Sequence, residues 1–291
     1  MHLLYLVFGP NSKNHAQAAF SMLTFLRQSA ALTGITILTD APDFYRHLSG
    51  HITVVPVSEA TLEEWKGEFN FFWRIKIKAL EYLARQQPNT ALMYLDSDTF
   101  LHGSLAELSA ALGRGEALMH EPEGALAALR SKTERLMWQQ TKGQTFGGVS
   151  IKQTHEMWNA GVVAVPARNA LSTIALALQI CDELCRAQVT PRLIEQFALA
   201  VALAEKQPLH TARPYIGHYW STKEQWQEHI GGFFIESHLR GRGVAEELAA
   251  LADFNFGATP VKRLEKNTLL RVQKLVGKLF PAREVVYAGT E

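Results

Sequence analysis

Short apolar runs alternate with segments of helical periodicity through the N-terminal third of the chain. Residues 3–8 form an apolar run that ends at a Gly-Pro-Asn turn, after which apolar side chains recur at helical spacing. Further apolar runs lie at 35–38 and 51–55, and a helix predicted over 73–84 precedes a fully apolar run at 91–95. This alternation predicts an α/β domain whose single mixed, mostly parallel sheet is flanked by helices.

The alternation is less regular in the rest of the chain. A polar segment that carries several glycines is typical of a mobile loop near a site. A strand is predicted over 158–165, and helices are predicted over 170–185 and 193–204. The sequence shows no internal repeat and no low-complexity linker, so we predict a domain over 1–260 followed by a C-terminal segment, 261–291.

Charge and cysteine content exclude several classes of protein. The 29 basic and 28 acidic residues leave a net charge of +1, which argues against a dedicated nucleic-acid binder. Cys181 and Cys185 are too few for a disulfide framework or a closed zinc site, and they indicate a reducing cytoplasm. The first apolar run lacks a basic flank, and no run reaches the about 18 apolar residues of a membrane span. We therefore expect neither secretion by a signal peptide nor a transmembrane helix.

Two aspartates follow directly on the apolar run at 91–95. Asp96 and Asp98 lie in the segment Tyr-Leu-Asp-Ser-Asp. Ligands of open α/β sheets bind beyond the carboxyl ends of the strands, where two carboxylates can converge on one hard divalent cation that in turn holds a diphosphate. The alternative is a structural turn in which one acid caps a helix near Ser104.

An Asp-x-Asp after an apolar strand is also found in haloacid-dehalogenase-type phosphatases, where an aspartate is the nucleophile. Phe100 stands where that pattern has Thr or Val, and no later acidic pair is a candidate for its magnesium. Both departures weigh against the phosphatase interpretation, with Asp96 as the nucleophile, which stays the alternative to the first one.

Four separated segments resemble GT-A-type glycosyltransferases, and most closely glycosyltransferase family 8. In chain order they are Phe72-Trp73-Arg74-Ile75-Lys76, Tyr94-Leu95-Asp96-Ser97-Asp98, Trp158-Asn159-Ala160-Gly161-Val162 and His218-Tyr219-Trp220-Ser221-Thr222-Lys223. The resemblance implies the GT-A-type nucleotide-diphospho-sugar transferase fold. It also implies an enzyme that moves a sugar from a nucleoside diphosphate, expected to be UDP, to an unidentified hydroxyl of a glycan, lipid-linked or protein acceptor, with retention of configuration.

The resemblance also implies a role for individual residues. Mn²⁺ or Mg²⁺ would be bound by Asp96, Asp98 and His218, and the donor sugar would lie against Asn159, Ala160 and Gly161. The nucleotide and its phosphates would be held by Phe8, Gly9, Asn11, Arg74, Ser97 and Lys223, and by Lys78, which lies one helical turn beyond Arg74. Structural alternatives remain for these segments: a solvated basic helix face at Arg74 and Lys78, and a strand that needs a small residue at Gly161.

Glu195 and Gln196 resemble the family's Asp-Gln-Asp segment, although Phe197 replaces its last acid. The resemblance places Glu195 or Gln196 at the reacting face of the sugar, where an amide or carboxylate could stabilise oxocarbenium charge or act as a nucleophile. The missing acid keeps a further alternative open, a non-catalytic protein that binds nucleotide sugars or glycans. An acid-amide pair that merely opens a helix is the structural interpretation.

The segment 261–280 is a predicted amphipathic helix with six basic residues and one acidic residue. Such a helix can lie in the headgroup region of an anionic membrane, at the inner face for a cytoplasmic protein, or it can dock its apolar side on the domain. The sequence leaves both interpretations open.

Overall fold

The computed structural model describes residues 1–262, 272 and 275–280. Its strands are β1 His2–Val7, β2 Gly34–Thr39, β3 Thr53–Pro56, β4 Leu92–Leu95, β5 Thr99–Leu101, β6 Ala117–Met119, β7 Pro122–Ala125, β8 Thr145–Phe146, β9 Val149–Ser150, β10 Glu156–Trp158, β11 Val162–Val165, β12 Leu209–Thr211 and β13 Ile216–His218. The α-helices within residues 1–262 are α1 Ser12–Leu26, α2 Glu59–Lys66, α3 Arg74–Gln86, α4 Leu105–Gly113, α5 Lys132–Thr141, α6 Ala170–Arg186, α7 Ile194–Lys206, α8 Lys223–Leu239 and α9 Val244–Ala250.

Seven strands form the central sheet, in the order β12-β6-β11-β4-β1-β2-β3. The pairs β1–β2, β1–β4, β2–β3 and β12–β6 are parallel, whereas β11 runs antiparallel to both of its neighbours, β4 and β6. The predicted α/β architecture, with one mixed and mostly parallel sheet flanked by helices, is therefore confirmed.

The two faces of the sheet are covered by different helices. Side chains of β1 alternate between two hydrophobic cores: Leu4 packs with α3, α6 and α7, and Leu3 and Tyr5 pack with α1, α4 and α8. Because both faces are buried, the central strands are apolar along their whole length, which is why they could be recognised in the sequence.

Two predictions for the second half of the chain need correction. The strand predicted over 158–165 is two strands in different sheets, β10 and β11, because the chain bends at Asn159–Gly161. The polar segment before it contains α5, whose N-terminus is a capping box formed by Ser131 and Glu134, and the β8–β9 hairpin. The helices predicted over 170–185 and 193–204 are confirmed as α6 and α7.

The C-terminal segment lies mostly outside the described residues, and so does most of the predicted basic helix. Within its described part, 275–279 is helical, and Leu275 and Leu279 are exposed. In the described part of the chain, no helix combines the length and the apolar character that a membrane crossing requires.

Candidate active site

The acid pair lies between β4 and β5, at the carboxyl end of a central strand. β5 pairs with β13 in antiparallel register, with Thr99 opposite His218, so that the histidine lies beside the acids. His218 Nε2 is 3.4 Å from Asp98 Oδ1 and 3.9 Å from Asp96 Oδ2. Ser104 itself accepts the capping hydrogen bond of α4, so the alternative in which one of the acids caps this helix does not hold.

One ligand atom each from Asp96, Asp98 and His218 lies within 4.8 Å of the other two. Asp98 and His218 are 3% and 5% exposed. Two carboxylates and an imidazole form a donor set that suits Mn²⁺, and the carboxylates also suit Mg²⁺. The residues therefore fit the divalent cation that the sequence predicts.

Asp98 is held as a carboxylate. Burial on its own raises the pKa of Asp98, but the hydrogen bond and charge of His218, together with the charge of Lys223, outweigh burial and keep this pKa well below its ordinary value. Lys223 Nζ lies 3.0 Å from Asp98 Oδ2, and its side chain is about half exposed. Lys223 can therefore contact both the acid and a ligand in the adjoining space.

Asp96 is oriented from behind by two side chains. Tyr94 donates its hydroxyl hydrogen bond to Asp96 Oδ1 at 2.6 Å, and Lys76 Nζ lies 3.6 Å from the same oxygen. Both contacts occupy Oδ1, so Oδ2 faces His218.

Lys76 is a residue of the site to which the sequence pattern gave no role. Its ammonium group is buried, lies 3.0 Å from Glu195 Oε1, donates to the carbonyl oxygen of Ala160 at 3.1 Å and sits 4.8 Å above the ring of Tyr94. Burial lowers the pKa of Lys76, but the charges of Asp96 and Glu195 outweigh burial and raise it above its ordinary value. The available signal was its place on the apolar face of α3.

The two predicted catalytic residues point in different directions. Glu195 is buried behind Lys76, and burial raises its pKa despite that partner. Gln196 donates to Glu123 Oε2 at 2.9 Å on the surface. Neither side chain is among the described residues that line the cleft at the acid pair.

Arg74 and Lys78 are engaged on the helix face away from the acids. Arg74 makes two hydrogen bonds, of 2.7 and 3.0 Å, to the carboxylate of Asp182 on α6, which raises the pKa of Arg74. Lys78 pairs with Glu81. The structure does not bring Arg74 or Lys78 to the acid pair, because both point to α6 or along α3 itself.

A cleft of about 390 Å³ opens over the acid pair. In addition to three aliphatic side chains, the cleft is lined by Phe8, Asn14, Phe72, Trp73, Lys76, Tyr94, Asp96, Ser97, Asp98, Asn159, His218, Trp220 and Lys223. Phe72, Trp73 and Trp220 are half exposed at its rim. The cleft thus combines charged groups at its floor with aromatic surface above, as ligand pockets commonly do.

Of the three residues predicted in the first loop, Phe8 lines the cleft. Gly9 donates its backbone N–H to Asp40, and Asn11 accepts from Lys13 N as the N-cap of α1. Asn14, one turn further along, takes the place in the cleft that was predicted for Asn11.

The segment Asn159–Gly161 packs against His218. The side-chain oxygen of Asn159 lies 3.0 Å from His218 Nδ1 and 3.0 Å from the backbone nitrogen of Gly161. Asn159 also lines the cleft, whereas Ala160 is buried and offers its carbonyl oxygen to Lys76.

His120 packs edge-on against His218, with 5.1 Å between the ring centroids. Burial lowers the pKa of His120 to about 4, so this ring is neutral near pH 7. A neutral neighbour adds no competing positive charge where a cation would bind.

Comparison with protein-family models gives no match, and comparison with curated protein sequences gives none either. Among solved structures, the chain is similar to the galactosyltransferase LgtC in complex with donor and acceptor sugar analogues: 13% identity, 72% of this chain and 73% of that one, TM-score 0.49. It is also similar to mouse xyloside xylosyltransferase 1 in its apo form (14% identity, 72% and 84%, TM-score 0.47). A third is the glycosyltransferase GlyE of Streptococcus pneumoniae TIGR4 (14% identity, 72% and 44%, TM-score 0.43).

Proposed function

We propose that this chain is a GT-A-type, metal-dependent glycosyltransferase, related to family 8, that takes its sugar from a UDP-sugar and transfers it to a hydroxyl group. The observation that carries this proposal is the convergence of Asp96, Asp98 and His218 at the floor of a cleft at the carboxyl end of β4. The geometry of the site supports it independently of the distant similarity to solved structures.

Asp96, Asp98 and His218 would hold Mn²⁺ or Mg²⁺. Such a cation neutralises the charge of a diphosphate leaving group and fixes its orientation. Lys223 reaches the cleft from the side of Asp98, and Ser97 lines it between the two acids. A lysine ammonium and a hydroxyl are suitable partners for phosphate oxygens.

The nucleoside would lie at the end of the cleft formed by Phe8 and Asn14. An aromatic ring can stack on a base, and an amide can pair with its polar edge.

Among the described residues, Asp96 and Asp98 are the only acids that line the cleft. Glu195 lies behind Lys76, so we assign it the role of holding Lys76 beside Asp96 instead of a direct role at the sugar carbon.

Calorimetry and thermal shift measurements test the proposal with wild type and Asp98→Asn. UDP should bind wild type and raise its melting temperature only when Mn²⁺ or Mg²⁺ is present, because the diphosphate would be held through the cation. Asp98→Asn should lose both effects. Asp43→Asn is the matched control, since Asp43 pairs with Arg46 on the surface and should bind UDP like wild type.

Turnover distinguishes the proposed enzyme from its alternatives. Release of UDP from one member of a panel of UDP-sugars, dependent on metal and lost in Asp98→Asn, would support a transferase. UDP-sugar binding without release or transfer on any acceptor would instead indicate a binding protein. Hydrolysis of phosphomonoesters with covalent labelling of Asp96 would contradict the proposal in favour of a phosphatase.

A further inference from the structure

We propose that Asn159 is a positioning residue for His218: its side-chain oxygen keeps a proton on Nδ1 and so presents Nε2 to the cation. This inference rests on the proposed function, because orienting His218 matters only if His218 binds a cation. It differs from the sugar-binding role that the sequence predicts for Asn159, and the two roles have different experimental consequences.

The orientation of the Asn159 amide follows from its contact with the backbone. The nitrogen of Gly161 lies 3.0 Å from the outer end of the Asn159 side chain. A peptide N–H can only donate, so the atom facing it must be the amide oxygen, because an amide NH₂ there would place two donors against each other.

The same oxygen lies 3.0 Å from His218 Nδ1. An amide oxygen can only accept, so Nδ1 must carry a hydrogen. The hydrogen bond made by one imidazole nitrogen determines what the other nitrogen can do. Nε2 is therefore the ring nitrogen left to bind a cation, and it is the atom that lies 3.4 Å from Asp98 Oδ1.

Gly161 provides the space for this arrangement. A Cβ atom at Gly161 would lie 2.2 Å from His218 Cε1 and 2.4 Å from Nδ1, so any side chain there would displace the ring. His120 packs against the ring as well. The segment Asn159–Gly161 therefore fixes both the position of the His218 ring and the location of its proton, which is the usual task of a residue behind a metal ligand.

Mn²⁺ binding in the absence of any nucleotide or sugar separates the two roles. Asn159→Ala should weaken Mn²⁺ binding about 10- to 100-fold, because partners of metal-bound histidines have effects of this size. Asn159→Asp keeps an acceptor oxygen but loses the NH₂ group, so it should retain at least most of the wild-type Mn²⁺ affinity. Asn255→Ala removes the same kind of contact, an asparagine oxygen that accepts from the backbone N–H two residues further on, at an exposed position; it is the matched control and should bind Mn²⁺ like wild type.

The opposite pattern would overturn the proposal. If Asn159 contacts only the sugar, Asn159→Ala should bind Mn²⁺ and UDP like wild type and lose affinity for UDP-sugar alone. Asn159→Asp should then show the same selective loss, because it lacks the NH₂ donors.

Nitrogen NMR of the His218 ring in metal-free wild type tests the inference separately from the proposed function. Failure of the protein to bind Mn²⁺ would refute the proposed function, but the NMR experiment would still test the role of Asn159. In wild type we expect a preference for a proton on Nδ1. Asn159→Ala should lose this preference while its remaining spectrum keeps the wild-type dispersion. An Nδ1 without a proton in wild type would overturn the inference, whatever the fate of the metal site.

Discussion

Lys76→Met replaces the buried ammonium group beside the acid pair by an uncharged chain of similar length. The variant leaves Glu195 buried without its counter-charge and removes the hydrogen bond to the carbonyl of Ala160. Lys76 and Glu195 are both buried where α3 meets α7, so Glu195 is poorly placed to exchange its lost partner for water.

The size of the effect follows from distance and burial. Two unit charges 3.0 Å apart interact by about 5.5 kcal/mol at an effective dielectric constant of about 20. Removing one partner of a buried pair typically costs about 3–5 kcal/mol, because the remaining charge is left uncompensated. We expect Lys76→Met to lose this amount of unfolding free energy. Glu195→Leu should lose less, because Asp96 stays 3.6 Å from Lys76 as a second counter-charge.

Urea denaturation of four proteins measures this coupling: wild type, Lys76→Met, Glu195→Leu and the double variant. The double variant should recover at least about 2 kcal/mol relative to the sum of the single losses, with an unchanged dependence on urea. Lys78→Met, two residues along the same helix, is the control and should lose no more than about 1 kcal/mol, because its partner Glu81 keeps Arg85 as a counter-charge. A loss below about 1 kcal/mol in Lys76→Met, or strictly additive losses, would refute the reasoning.

Four further outcomes are expected. Asp98→Asn should weaken Mn²⁺ and UDP binding together in calorimetry, and unchanged UDP affinity in Mn²⁺ would contradict the metal site. Gly161→Ala should lower Mn²⁺ affinity without unfolding the protein, because its methyl group would lie 2.2 Å from Cε1 of His218 and displace the ring. Equal affinity would show that the ring can shift without weakening the metal site. Burial lowers the pKa of His2, so the unfolded chain binds this proton first as the pH falls. The free energy of unfolding should therefore not depend on His2 above about pH 6.5, and below that pH it should fall by up to about 1.4 kcal/mol per pH unit. Urea denaturation of His2→Gln at a series of pH values should lack this contribution to the decline. In vesicle sedimentation at low salt, wild type should bind anionic lipid, whereas a chain truncated after Lys262 should stay folded and unbound; failure of wild type to bind would contradict a membrane role for the basic segment.

The elements that the sequence predicted well are those specified by local pattern. The apolar run before Asp96 corresponds to a strand buried on both faces, and the spacing of Ile77, Leu80 and Ala84 corresponds to the buried side of α3. These patterns need no knowledge of the partner strand or helix, because burial alone dictates which positions are apolar.

The pairing of charges could not be predicted in the same way. Arg74 and Lys76 are both basic residues near the start of one helix, and a sequence motif favours Arg74 as the ligand contact. The structure instead pairs Arg74 with Asp182 and turns Lys76 to the acids, because α6 lies on one side of α3 and the end of β4 lies on the other. The packing of α3 determines which of the two side chains reaches the acid pair, and the residues next to them in sequence do not determine that packing.

The candidate site depends on two antiparallel pairings, one inside the mostly parallel seven-stranded sheet and one in a separate two-stranded sheet. The pairing of β11 with β4 places the carbonyl of Gly161 against the backbone N–H of Asp96, and the pairing of β13 with β5 places His218 opposite Thr99. Each strand is only three or four residues long, so local sequence patterns could not have predicted either register. The residue types of the metal site are therefore readable from the sequence, but their convergence is a property of these two registers. Because β5 and β13 form a separate two-stranded sheet, opening that pair would remove His218 from the acids while the seven-stranded sheet stayed intact.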